Sequence, residues 1–103
     1  MDRTVLENLN RTTFEPYLNT TFRIRLTDAD AIEVTLIEAK ALSAEDREHS
    51  QRVPFAILFQ GPVDPVLAQG IYRIEHAELG FMDIFLVPVG PRSDGMTYEA
   101  VFN

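Results

Sequence analysis

Two histidines, three serines and a scatter of acidic residues are the side chains of this chain with the chemistry for acid–base or nucleophilic work. His49 stands in a charged run and reads as a solvated side chain. His76 closes an apolar alternation beside Glu75; a general base needs a nucleophile within hydrogen-bond reach, and the spacing supplies none. His76 is therefore expected to serve a surface or turn hydrogen bond. Ser43, Ser50 and Ser93 all fall in polar stretches, and none sits in the G-x-S-x-G turn that exposes a nucleophile. Glu75, Glu78, Asp83 and Glu99 are the acids from which a glycosidase-type carboxyl pair would have to be drawn. That chemistry needs a cleft with one carboxyl on each side of the sugar, and a chain of 103 residues seldom builds one. These acids are read as solvated strand faces, and a hydrolase as the least supported class.

Metal and cofactor chemistry is equally bare. There is no cysteine, so disulfides, thiolate-bound zinc, iron–sulfur clusters and a thiol nucleophile are excluded. Asp28 and Asp30 alternate in a turn, but no glutamate follows at calcium-loop spacing. No phosphate-cradling glycine motif and no H-E-x-x-H occurs. The expectation is a protein without catalytic residues, metal or cofactor. Sixteen acids against nine bases leave a formal charge of −7, which repels a phosphate backbone and argues against nucleic acid as a partner. Arg23, Arg25 and Arg73 are placed on outward strand faces with Glu33, Glu75 and Glu99 available opposite, so cross-strand ion pairs are expected in preference to an anion-binding patch. No run approaches the roughly 20 apolar residues of a membrane span, and the start, MDRTVLENLN, lacks the apolar stretch of a signal peptide, which points to a cytoplasmic location without membrane insertion.

The elements that must position these residues are mostly strands. A single domain is expected over residues 1–103, with residues 1–20 as a helical or irregular segment packed on it. Thr4–Glu7 has capping-box spacing, Leu6 and Leu9 are candidate buried positions, and a second helical turn starts at Thr12 or Thr13, the second choice placing Pro16 in its first turn. From Thr21 the period becomes two. Phe22, Ile24 and Leu26 alternate with Arg23 and Arg25; after a turn at Asp28–Asp30, Ile32, Val34 and Leu36 alternate with Glu33 and Thr35, giving an antiparallel hairpin. Leu36-Ile37 breaks the alternation and suggests a bulge. Leu42–Arg52 reads as a surface loop. Pro54–Gln60 reads as a central strand with Phe55, Ile57 and Phe59 on one face, and Gly70–His76 as a fourth strand. Met82–Val89 reads as a fifth, covered on both faces because it is nearly all apolar, and Thr97–Phe102 as the last. Gly90–Gly95 is a loop in which Asp94-Gly95 favours positive φ. The fold class is thus all-β: a six-stranded antiparallel barrel or small sandwich with short N-terminal helical turns. An open edge would favour self-pairing into a homo-oligomer, with the last strand as the candidate edge.

Between the third and fourth strands lies QGPVDPVLAQG. Gly61-Pro62 ends a ladder, Pro65 stiffens the connection, Leu67 is expected to fold back as an apolar plug, and Gln69-Gly70 re-enters the sheet. The stretch is read first as a structural connection. Its alternative is a partner-contacting loop formed by Gln60, Gly61, Pro62, Asp64 and Gln69, whose amides need partners if buried.

The order Phe22…Pro54-Phe55…Phe59-x-Gly61-Pro62…Leu67-x-Gln69-Gly70-x-Tyr72…His76…Leu79-Gly80…Phe85-Leu86-Val87-Pro88-Val89…Tyr98-Glu99-Ala100-Val101-Phe102-Asn103 resembles a family of small bacterial domains of unknown function, and the similarity runs from Phe14 to Asn103. Members of that family are often encoded beside phage-tail-collar, microcystin-dependent-type fibre proteins. The resemblance implies no catalytic or ligand residues; it implies an accessory or assembly role next to such a fibre. The leading expectation is a non-enzymatic β-domain working through protein contacts. The alternative is a small-molecule-binding barrel with Phe55, Phe59, Tyr72, Phe85 and Tyr98 lining a cavity.

Overall fold

The computed structural model describes residues 9–42, 54–92 and 95–103. A short helix α1 (Arg11–Phe14) and a 3-10 turn (Glu15–Tyr17) lead into six strands: β1 (Thr21–Arg25), β2 (Ala31–Ala41), β3 (Phe55–Gly61), β4 (Gly70–His76), β5 (Gly80–Arg92) and β6 (Gly95–Phe102). They close into an antiparallel barrel in the order β1-β2-β3-β6-β5-β4, with β4 returning to β1. Closure removes the sandwich alternative. It also places β6 between β3 and β5, so the last strand is not the free edge the sequence suggested.

Alternation sets the inside of the barrel. Phe22 and Ile24 of β1, Val34 and Leu36 of β2, Phe55, Ile57 and Phe59 of β3, and Tyr98, Ala100 and Phe102 of β6 are buried in one cluster with Ile74, Met82, Ile84 and Leu86. The β2 alternation breaks where expected, at a register shift between Leu36 and Glu38. Beyond it β2 runs on to Ala41, longer than its sequence pattern, paired with the first half of β3.

The rings fill the barrel by meeting one another. Phe22 meets Phe59 edge-on at 5.1 Å between centroids. Phe55 stacks on Phe102 at 4.7 Å, and Phe14 of α1 lies 6.0 Å from each of the two. The N-terminal turn is thus a plug at the end where β3 begins. Its cap is Asn10, not Thr12 or Thr13: the Asn10 side chain accepts from the Thr13 backbone N–H, and Thr13 returns a bond to the Asn10 backbone. Pro16 falls in the 3-10 turn that follows, where its missing N–H is harmless. Leu9 is buried as expected; Leu6 and the Thr4–Glu7 box lie outside the described residues.

From the opposite end the β3–β4 connection sends Leu67 into the core, where its N–H donates to the Tyr98 hydroxyl at 2.8 Å. This bond is buried, so removing the acceptor strands an amide without water. Tyr98→Phe is expected to lower the unfolding free energy by about 1–3 kcal/mol, measured as a shift of the urea midpoint at unchanged m-value.

Two readings of the second half need correction. The β5 strand is not covered on both faces: Phe85 and Val89 are each 51% exposed, because alternation with the inward Met82, Ile84 and Leu86 turns Phe85 out of the barrel wall. Nor is Gly90–Arg92 loop; it continues β5 and pairs with Gly95–Thr97. Among the described residues the left-handed glycine there is Gly90, with φ 123°; Gly95 is needed because a Cβ on it would run into the Gly61 carbonyl oxygen.

Candidate functional site

The residues singled out for chemistry are dispersed by the barrel. Glu75 pairs with Arg25 at 3.2 Å and Asp83 with Arg73 at 3.3 Å, while the Arg73 guanidinium also sits 4.2 Å over the Phe81 ring. Arg23 stands opposite Glu33 on one side and Glu75 on the other, so the three arginines occupy a charge-balanced face, as expected of cross-strand pairing. Glu99 is not part of it; it lies across the barrel between Leu58 and Val87. Asp30 spends its carbonyl on the hairpin turn, accepting from the N–H groups of Leu26 and Thr27. Among the described residues no three His, Cys, Asp or Glu side chains converge as a metal site would require. His49, Ser43, Ser50 and Ser93 lie outside the described residues.

His76 is the titratable group with the most defined surroundings. It is 7% exposed, packed 4.5 Å from the Phe22 ring and 4.8 Å from the Tyr17 ring. Its Nδ1 accepts from the backbone N–H groups of Glu78 at 3.0 Å and Leu79 at 3.3 Å, which leaves the proton on Nε2. Nε2 then donates to Thr20 Oγ1 at 3.1 Å, and that hydroxyl donates to the Tyr17 carbonyl at 2.6 Å. The turn hydrogen bond anticipated for His76 is present, and the chain Leu79–His76–Thr20–Tyr17 also ties the N-terminal segment to the β4–β5 turn.

Every acceptor in this chain is satisfied by a neutral imidazole, and a second proton on Nδ1 would face two N–H donors. Burial accordingly pushes the His76 pKa down, with the Glu78 carboxylate pulling the other way. Burial and the nearby Glu78 carboxylate push the Tyr17 pKa up, so the phenol stays protonated. The unfolded chain protonates His76 near pH 6.5 and the folded chain only below that, so this stabilisation is complete above the unfolded value and is lost as pH falls through the lowered folded one. Urea midpoints measured across this window should fall more steeply with acid in the native protein than in His76→Gln.

The rings nominated as cavity lining do not share a hollow. Phe55, Phe59 and Tyr98 are fully buried within the core cluster, Tyr72 is half-buried with its hydroxyl on the Ala68 carbonyl, and Phe85 points outside. The nominated partner loop is split in a similar way. Gln60 is half-buried and its amide donates to the Arg92 carbonyl at 2.8 Å, and Gly61 is buried; Pro62, Asp64 and Gln69 are exposed.

What the sequence reading missed is an apolar row on the outer wall. Ile71 of β4 is directly opposite Phe85 of β5. The pair Val87–Glu99 puts Val101 of β6 at the level of Phe85. These three side chains are 73%, 51% and 49% exposed, a contiguous stripe across three neighbouring strands. The signal was available: each alternates with inward neighbours, Ile71 with Tyr72, Phe85 with Ile84 and Leu86, Val101 with Ala100 and Phe102.

The match to known families covers the whole of this barrel. A model of a domain of unknown function, DUF6916, matches residues 9–102. The chain belongs to the DUF6916 family. The matched span of this DUF6916 domain starts at the buried Leu9 and ends at Phe102, so the plug and all six strands fall within it. No curated protein and no solved structure matches the chain.

Proposed function

We propose that this DUF6916 domain is a non-enzymatic protein-interaction module whose working surface is the outer stripe of Ile71, Phe85 and Val101. The observation that carries the reading is the exposure of these three side chains on adjacent strands while the barrel interior is occupied by the protein's own rings. Contiguous exposed apolar surface on a small domain is unfavourable in water and marks a surface that another macromolecule covers. The exposed Val63 and Val66 of the β3–β4 connection, with Pro62, Asp64 and Gln69 beside them, extend the apolar surface available to a partner.

The partner we propose is a tail-collar-type fibre protein, with the domain acting as an accessory or assembly factor. Support for this comes from the resemblance to domains encoded beside such fibres. Co-expression followed by co-purification tests it: the native chain should retain the fibre protein, and Phe85→Asp should release it with the domain still folded. Absence of association at micromolar concentrations, or equal retention by Phe85→Asp, contradicts the proposal.

A further inference from the structure

The N-terminal segment closes one end of the barrel at two points of different chemistry. Phe14 is fully buried beside Phe55 and Phe102, an apolar contact indifferent to pH. Tyr17, at the end of the following 3-10 turn, packs on His76. His76 also caps the β4–β5 turn from inside. Its Nδ1 accepts from the N–H groups of Glu78 and Leu79, and its Nε2 is bound to Thr20 Oγ1. An imidazolium has two donors and no acceptor, so a second proton leaves these turn amides facing an N–H. Rotating the ring in place does not help, because either nitrogen then donates. To carry charge, the ring has to leave its place against Phe22 and Tyr17. The groups around it do not oppose a positive charge. Arg23, Arg25, Glu33 and Glu75 line an open groove of about 370 Å³ with His76. Arg25 is held by Glu75 and Arg23 stands opposite Glu33, while the exposed Glu78 adds a further carboxylate on the turn itself. From the 3-10 turn the facing group is the Tyr17 phenol, and from β1 the apolar Phe22.

We propose that His76 is an acid-operated latch: on taking a second proton its ring swings out towards Glu78, the β4–β5 turn opens, and Tyr17 and Thr20 lose their tie to that turn while the barrel stays closed. Little else is lost in the movement. Ala77 and Glu78 are already exposed, and β4 and β5 remain joined by the ladder that runs back to Gly70. The Asn19 N–H donates to the Leu36 carbonyl at 2.7 Å, and the Leu36 N–H donates to the Thr20 carbonyl at 3.2 Å. These backbone bonds and the buried Phe14 involve no titrating group, so they keep the N-terminal segment attached. Opening confined to one turn costs less than unfolding the domain, so it comes first as acid is added. Burial holds the proton affinity of His76 below that of an ordinary histidine, so the latch is shut at neutral pH. The device uses none of the residues of the outer stripe and stands independently of the interaction-module reading.

The test is an NMR titration of the intact labelled chain from neutral pH into acid, following the imidazole nitrogens together with the backbone amides. The His76 ring should pass from the Nε2–H tautomer to imidazolium in one step below pH 6.5. The Glu78 and Leu79 amides and the Tyr17 ring should shift with the same midpoint. Exchange of those two amides, corrected for the intrinsic effect of pH, should rise at least about tenfold across the step. Signals of Phe55 and Phe102 should stay in place. Glu78→Gln, a change at an exposed position, should move the step to lower pH, and His76→Gln should abolish the shift of the turn amides. Protonation of the ring with the turn amides unmoved, protonation only as the whole domain unfolds, or an unmoved midpoint in Glu78→Gln overturns the latch. A shift of the turn amides that persists in His76→Gln overturns it as well; if that variant does not fold, the native and Glu78→Gln titrations decide.

Discussion

Phe59→Ala should lower the unfolding free energy by about 3–5 kcal/mol, the loss typical of emptying a buried aromatic position. Phe59 is fully buried at the middle of β3, with Leu36 opposite it on β2 and Tyr98 opposite it on β6. Its ring is met edge-on by Phe22 from across the barrel. A barrel wall is constrained by ladders on both sides of each strand, so it collapses poorly onto a hole, which places the expected loss in the upper part of that range. Each kcal/mol moves the midpoint of a domain this size by about 4–8 °C, so Tm should fall by at least about 12 °C. Phe85→Ala removes the same ring from the outer wall and should stay within about 0.5 kcal/mol of native. The pair of substitutions distinguishes rings that hold the fold from rings free for a partner, by thermal and urea unfolding alone.

Gly95→Ala is the second large effect, about 3 kcal/mol, at the top of the range for forcing atoms into a packed site. The added Cβ would run into the Gly61 carbonyl oxygen and meet Gln60 Cγ and Nε2 at 2.9 and 3.0 Å. Side-chain atoms of Gln60 move aside at the loss of its bond to the Arg92 carbonyl, but a backbone carbonyl in a ladder does not. The end of the β3–β6 pairing, where Gly61 faces Met96, must therefore open. Gly70→Ala provides the contrast. Its Cβ would touch only the Tyr72 ring at 3.8 Å, ordinary contact distance, and stability should change by less than about 0.5 kcal/mol. Urea unfolding of both variants checks the difference.

The inward set of side chains was legible because strand alternation is local. Phe22 with Ile24, and Phe55 with Ile57 and Phe59, read as one face from their spacing, and all five are buried. The bulge after Leu36 and the plug at Leu67 were legible for the same reason: each interrupts a local pattern. Closure was not, because the β1–β4 pairing joins residues some fifty positions apart through only two residue pairs. The free edge was therefore assigned to β6, which is enclosed between β3 and β5. In β5 an unbroken apolar run hid the alternation, so Phe85 was read as covered when it stands outside. The cap at Asn10 was obscured by two threonines that are equally good caps, with the choice made by where Phe14 must land between Phe55 and Phe102. Gly95 looked like a turn glycine because Asp94 precedes it; its real constraint, the approach of Gly61, belongs to a different strand. For the site, chemistry-bearing residue types drew attention to His76 and the acids. The structure gives His76 hydrogen bonds and Glu75 and Asp83 ion pairs, and leaves Ile71, Phe85 and Val101 as a conspicuous surface.

On the reading proposed above, the barrel interior is filled by its own side chains and the outer stripe of Ile71, Phe85 and Val101 is where a protein partner binds. Sedimentation velocity of the purified domain mixed at micromolar concentration with a tail-collar-type fibre protein tests it most directly. A faster-sedimenting complex is expected with the native domain, and independent boundaries with the Phe85→Asp, Val101→Asp double variant, whose Tm is unchanged. Independent boundaries with the native domain, or an undiminished complex with the double variant, would contradict it.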